Sequence, residues 1–136
     1  LLQADEVVIT AIPDLANLRN VKNLIELLKQ SRTNDKPPRL VINMAGVPKR
    51  PEIPIAEFAS AVGLEPAQVI EFDSENFGQA SNNGQMIEEF SGKAKSGPQF
   101  RSLAMLLANR RDHKVEKKAA AGGGLGPLLQ KLKLKR

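Results

Sequence analysis

The chain offers few residues that could make or break a bond. It has no cysteine in 136 residues, which excludes a thiolate nucleophile, a thiolate metal site and a disulfide framework. Its one histidine, His113, sits in Arg110-Arg111-Asp112-His113-Lys114. A lone imidazole with no Cys and no second His cannot build a zinc site. No Ser-His-Asp arrangement can be argued from it either, so His113 reads as a solvated residue. Glu88 and Glu89 are adjacent and on a helix would point about 100° apart, which suits a solvated face better than a shared acid–base task. Lys49-Arg50 lies between Pro48 and Pro51. The stiff prolines should hold both charges away from the surface, toward a partner, a phosphate or water. Asn82-Asn83-Gly84 tolerates left-handed backbone and reads as a turn leading into a helix.

These residues hang on an alternating pattern of strands and helices. Glu6–Thr10 (EVVIT) is a short β-branched run that reads as a buried strand. A helix follows, with Pro13 near its first turn and Asp14 at the positive end of its dipole. Its apolar stripe is Leu15, Leu18, Val21, Ile25 and Leu28, at three- and four-residue steps. Arg39–Met44 (RLVINM) is the second strand. Pro54 opens a short helix with Ile55, Phe58, Ala59 and Val62 on one face and Gly63 as its stop. Gln68–Phe72 (QVIEF) is the third strand. Asp73–Gly84 is a polar segment rich in Asn, Ser and Gly, and two short helices are expected over 84–90 and 98–111, the second burying Phe100, Leu103, Ala104 and Leu107. Strand–helix alternation of this kind predicts an α/β fold with a parallel sheet in three layers. Three strands are few for such a sheet, whose edges need cover. Further strands are therefore expected from a missing N-terminal half or from another chain. The start at Leu1-Leu2-Gln3, just before a strand, reads as a cut.

Charge is unevenly distributed. The chain carries +5 in total, but residues 114–136 hold seven basic residues and one acidic one, leaving thirteen basic and fourteen acidic residues in the body. The near-neutral body argues against a nucleic-acid partner, whose binding rests on phosphate neutralisation. With five Phe and no Tyr or Trp, stacking on single strands is also disfavoured. No apolar run approaches the roughly 18 residues of a membrane span, no basic leader precedes the first strand, and the lack of Cys fits a reducing, cytoplasmic setting.

Several segments, in order, resemble the ParA/MinD ATPase superfamily. Val7–Asn20 (VVITAIPDLANLRN) is similar to its late strand-to-helix step, and Leu40–Asn43 (LVIN) to the next strand, which ends in Asn. Gly46–Phe58 (GVPKRPEIPIAEF), Val69–Asp73 (VIEFD) and Phe77–Met86 (FGQASNNGQM) look like the CpaE/TadZ branch, which serves Flp/Tad pilus assembly. The resemblance covers about residues 3–111. It implies the C-terminal half of a P-loop NTPase domain over 1–111 without the N-terminal phosphate-binding half, then a linker over 112–124 and a tail over 125–136. No G-x-x-x-x-G-K-[ST] occurs, and the only glycine cluster, Gly122–Gly124, follows three alanines rather than a strand. No hydrolysis, and no bound cofactor, is expected of this chain alone.

The resemblance implies a site as well. In the family the Asn closing the second of these strands approaches adenine, and Asn43 matches that position. A carboxamide offers both a donor and an acceptor, which suits an adenine edge. Phe72 and Asp73, after the third strand, would lie beside it, outside the carboxyl ends of the strands where open α/β sheets bind ligands. ATP is thus the cofactor implied for the intact protein. The alternative for Asn43 is a strand-end residue that only satisfies loop backbone.

In the tail, Pro127 can open a helix that gathers Leu125, Leu128, Leu129 and Leu132 on one side, with Lys131, Lys133 and Lys135 on its flanks, while Leu134 falls opposite. Similar basic amphipathic helices anchor MinD-like ATPases to membranes. Apolar burial and attraction to anionic headgroups about offset the ordering cost, so one tail binds weakly and two on a dimer bind through effective concentration. A disordered tail and a helix packed on another protein are the alternatives.

Two functions follow from the resemblance. One is an assembly and localisation module of a pilus secretion machine, cytoplasmic and peripheral to the inner membrane or cell pole. The other is the C-terminal half of a cycling ATPase for positioning or DNA partitioning. An intact Lys-bearing phosphate loop upstream would favour the second.

Overall fold

A computed structural model describes residues 4–92 and 94–108. The expected linker, His113 and the tail residues Leu125 to Lys135 lie outside them. Eight elements alternate along the chain: β1 (Val8–Ala11), α1 (Leu15–Ser31), β2 (Arg39–Ala45), α2 (Ile55–Val62), β3 (Pro66–Glu71), α3 (Ser74–Asn83), α4 (Ile87–Phe90) and α5 (Ser96–Leu107). The strands form one parallel sheet in the order β1-β2-β3. Parallel strands need crossovers, and α1 and α2 supply them. Ala11, Ile42 and Val69 stand in one row across the sheet.

The row pattern decides where the core forms. Side chains alternate across a strand, so Ile9 and Ala11 of β1 share a face with Leu40 and Ile42 of β2. Val21, Ile25 and Leu28 of α1 and Phe58 of α2 close over that face. Leu40, Ile42 and Phe58 are 0% exposed. Leu15, expected in the stripe, is 73% exposed, because α1 begins beyond the strand ends and its first turn has no sheet beneath it. Gly63, in left-handed geometry at φ 70°, ends α2 as expected.

The opposite face carries Val41 and Ile70, both buried, and α5 lies against β3. The cover stops short of β1: Val8 is 37% exposed and Thr10 is exposed. Here the structure corrects three expectations. The polar segment Asp73–Gly84, to which the sequence reading gave no element, contains α3, whose only buried residue is Ala80. Its polarity hid it from periodicity, and its caps hold it instead. Asn82-Asn83-Gly84 is a helix exit, with Gly84 at φ 64° donating its N–H to the Ala80 and Ser81 carbonyls. The stripe expected in the last helix is also displaced. Phe100 is 41% exposed and Ala104 exposed, Leu103 and Leu107 are half-buried, and the buried residues of α5 are Ser96 and Gly97. Gly97 is where α5 crosses α4, and a Cβ there would stand 3.4 Å from that of Glu88. The helix is anchored by a small-residue contact at its start, not by an apolar stripe along its length.

The β2–β3 pairing shifts register twice, once between Leu40 and Val41, where Ala67 of β3 is the extra residue, and once past Ile42 within β2. Ile42 pairs with Val69 and Ala45 with Glu71, so Asn43 and Met44 together oppose the single residue Ile70. Such a bulge bends a strand and re-aims its side chains. Met44 takes a left-handed φ of 53°, a conformation that costs a non-glycine residue about 1–2 kcal/mol.

Candidate functional site

The carboxyl ends of the three strands make one rim, and two helices start from it. β1 runs into α1 and β3 into α3 through the same local device, Asp-x-x-Asn. Asp14 Oδ1 accepts from the Asn17 backbone N–H at 2.7 Å and from Asn17 Nδ2 at 2.9 Å. Asp73 Oδ1 accepts from the Asn76 N–H at 3.0 Å, and its Oδ2 from Asn76 Nδ2 at 2.7 Å. Each carboxylate satisfies an orphan N–H of its helix. These bonds pull the acids below the ordinary aspartate range. For Asp14 the Asn17 backbone N–H contributes most, then the Asn17 side chain. For Asp73 the order is reversed, the Asn76 side chain first. Both are therefore ionised acceptors at neutral pH, unsuited to donating a proton.

Beside the start of α3 lies an open cleft of about 260 Å³ lined by Asn43, Phe72, Asp73, Ser74, Phe77 and Phe100, among others. Asn43, Phe72 and Asp73, the three residues singled out in the sequence, thus share one surface at the strand ends. Phe77 and Phe100 meet edge to face, with ring centroids 6.2 Å apart at 80°. This gives the cleft an aromatic wall opposite a polar one. A flat heterocycle fits that division, with ring faces for stacking and a carboxamide for its edge. Among the described residues no cluster of His, Cys, Asp or Glu could hold a metal.

The Asn43 side chain is half committed. Its Oδ1 accepts the Met44 backbone N–H at 2.9 Å, the local role weighed as the alternative above, and Nδ2 has no partner among the described residues. The loop beyond β2 accounts for the geometry. Arg50 is not held out by its prolines but folds back. Its Nη2 donates to the Met44 carbonyl and, at 2.7 Å, to Glu52 Oε1. Glu52 also accepts the Gly46 N–H at 3.1 and 3.0 Å and the Val47 N–H at 3.1 Å. The carboxylate sits in a nest of successive N–H groups, as an anion would. Its pKa lies below the ordinary glutamate range, through the Gly46 N–H first and the Arg50 side chain next. Only Lys49 of the basic pair projects outward, from a left-handed φ of 62°.

Glu52 went unremarked in the sequence, since a carboxylate reaching back six residues leaves no periodic signal. The spacing Gly46–Val47 to Glu52 across a proline-bounded loop is the only hint. Glu88 and Glu89 are exposed, as a solvated face requires, and each also has a partner: Glu88 pairs with Arg101, and Glu89 accepts the Met86 N–H at 3.2 Å. A larger groove, about 360 Å³, opens at the opposite end of the sheet between the ends of α1 and α2, lined by Val7, Leu28, Lys36, Pro38 and Leu64. Lys29, Arg32, Thr33 and Asp35 also line it, Arg32 and Asp35 pair with each other, and it lies away from the carboxyl ends of the strands where α/β sheets bind ligands.

No family profile matches the chain, and no curated protein matches it. Among solved structures it is similar to the crystal structure of a ParA family ATPase from Chlorobium tepidum TLS, with a TM-score of 0.57 and 22% identity. The match covers 70% of this chain and 38% of that one. The likeness establishes the fold: an α/β, three-stranded parallel piece of a ParA-type sheet. The chain spans well under half the length of that protein.

Proposed function

We propose that this chain is the downstream portion of a ParA/MinD-like nucleotide-handling protein of the CpaE/TadZ type, working as a scaffold that assembles and localises a pilus secretion machine. Its rim cleft takes the adenine end of ATP, while the phosphates are gripped by a segment or chain that lies beside β1. The observation that carries this reading is the shared cleft of Asn43, Phe72 and Asp73 at the carboxyl ends of β2 and β3. The bare face of β1, with Val8 and Thr10 exposed, supports a neighbour on that side. The branch assignment and the pilus role rest on the sequence resemblance.

Isothermal titration of ATP tests the division of labour. The 136-residue chain alone should show no micromolar affinity, and micromolar binding would overturn the proposal. In a longer protein that joins this chain to a phosphate loop, Asn43→Ala should weaken ATP about tenfold, the worth of one buried hydrogen bond. Undiminished affinity there would remove Asn43 from the site. Localisation is read separately. No helix among the described residues is long and apolar enough to cross a membrane, so attachment falls to the basic tail and to partners. Sedimentation with anionic vesicles should lose its pelleted fraction when residues 125–136 are deleted, and equal pelleting would refute tail anchoring.

A further inference from the structure

We infer that Arg50 and Glu52 set the base preference of the rim cleft by locking the orientation of the Asn43 carboxamide, an inference that rests on the reading of that cleft as a purine pocket. The lock is a continuous chain of contacts. Glu52 holds the Gly46 and Val47 N–H groups and the Arg50 guanidinium. Arg50 holds the Met44 carbonyl, and the Met44 N–H holds Asn43 Oδ1. Met44 sits in the β2 bulge at φ 53°, a conformation a methionine does not keep unless its surroundings impose it. The clamp holds the Met44–Ala45 peptide by its carbonyl, and with the Met44 φ kept at 53° the neighbouring Asn43–Met44 peptide presents its N–H to Asn43 Oδ1.

The chemical consequence lies in which amide atom is spent. With Oδ1 committed to Met44, Asn43 offers the cleft a donor, Nδ2. Adenine carries an acceptor at N1, whereas guanine carries N1–H there, so a fixed donor favours adenine and meets guanine donor to donor. If the carboxamide were free to rotate by 180°, it could present the acceptor instead and the distinction would fade. Arg50 and Glu52 line no part of the cleft. They are positioning residues, and specificity rather than stability is where their loss should register.

The test uses the 136-residue chain, adenosine and guanosine at millimolar concentration, and the NMR signals of the Asn43 side-chain amide. In the wild type, adenosine should bind about tenfold better than guanosine. Glu52→Ala should reduce that ratio to near unity, and Glu52→Gln, which keeps one acceptor, should fall between. Without ligand, amide exchange at Met44, Gly46 and Val47 should quicken about tenfold in Glu52→Ala, while Leu40, in the core, stays protected and reports an intact fold. If adenosine keeps its full preference in Glu52→Ala, the lock is refuted and the purine reading stands. If neither nucleoside moves the Asn43 signals in the wild type, the purine reading falls and takes the inference with it. Unchanged exchange at Met44 would also refute the lock.

Discussion

The face of the sheet under α1 and α2 and the face under α5 are closed by different means. The first is apolar and deep: three α1 residues at helical spacing and Phe58 cover Leu40 and Ile42 completely. The second uses small residues. Ala80, Ala94, Ser96 and Gly97 are buried there, the helices are short, and β1 is left uncovered. One face holds itself together by area removed from water. The other depends on caps, one close backbone crossing and whatever meets β1. The rim cleft proposed to take a nucleotide base lies on the margin of the second, where loosely held elements are expected to serve binding.

This contrast can be broken by substitution. The largest effect belongs to the first face: Phe58→Ala should cost about 3–5 kcal/mol, read as a drop in the denaturant midpoint. A small loss would mean that α2 is not a core element. On the second face, Gly97→Leu should cost about 1–3 kcal/mol by forcing α5 off Glu88. The loss of amide protection should be confined to α4 and α5, and spread into β1 or α1 would show that the two faces are not independent.

The twin caps sharpen the comparison further. Asp14→Ala should cost about 1 kcal/mol yet leave α1 formed, because Val21, Ile25 and Leu28 still bury it. Asp73→Ala should instead unravel the first turn of α3, which buries only Ala80, and amide exchange at Asn76 and Phe77 reads this. Equal fraying of the two helices would contradict the contrast. The same carboxylates set a pH dependence. Asp14, Asp73 and Glu52 all have folded values below the ordinary 3.8 and 4.5, so their contribution is complete above that range and is lost as pH falls through the lowered values. The thermal midpoint should hold at neutral pH and decline from about pH 4 downward. Asp73→Asn combined with Glu52→Gln should flatten that decline. The smallest effect is expected at the uncovered strand. Val8→Asp should change stability by no more than about 0.5 kcal/mol, and a larger loss would reveal that this face is occupied in solution.

Much of the first face was legible in the sequence and little of the second. Leu40–Ile42, the Val21–Ile25–Leu28 spacing and Gly63 carry periodic or stop signals that survive folding almost unchanged. Leu15 broke its pattern because periodicity marks an apolar stripe without saying how far the sheet extends beneath it. α3 has one buried apolar residue, so hydrophobic spacing could not reveal it. Asp73-x-x-Asn76 could have, had it been read as the same cap as Asp14-x-x-Asn17. Of the site, Asn43, Phe72 and Asp73 were found through resemblance and strand-end position. Glu52 and the inward turn of Arg50 were not, because they belong to a loop whose contacts follow from a strand irregularity that leaves no mark in composition or spacing. Proline on either side of Lys49-Arg50 suggested that both charges point outward, which holds for Lys49 and fails for Arg50.

That irregularity has a consequence for parity. Up to Ile42, even-numbered side chains of β2 enter the core; past the doubled position the core residue is Ala45, an odd one. Excising Met44 would therefore leave the inward sequence Leu40, Ile42, Ala45 in unbroken alternation and would make β2 an ordinary strand, better paired with β3. The packing would tolerate the deletion. What would vanish is the Met44 backbone itself, whose N–H holds the Asn43 amide oxygen and whose carbonyl draws Arg50 back onto the strand end.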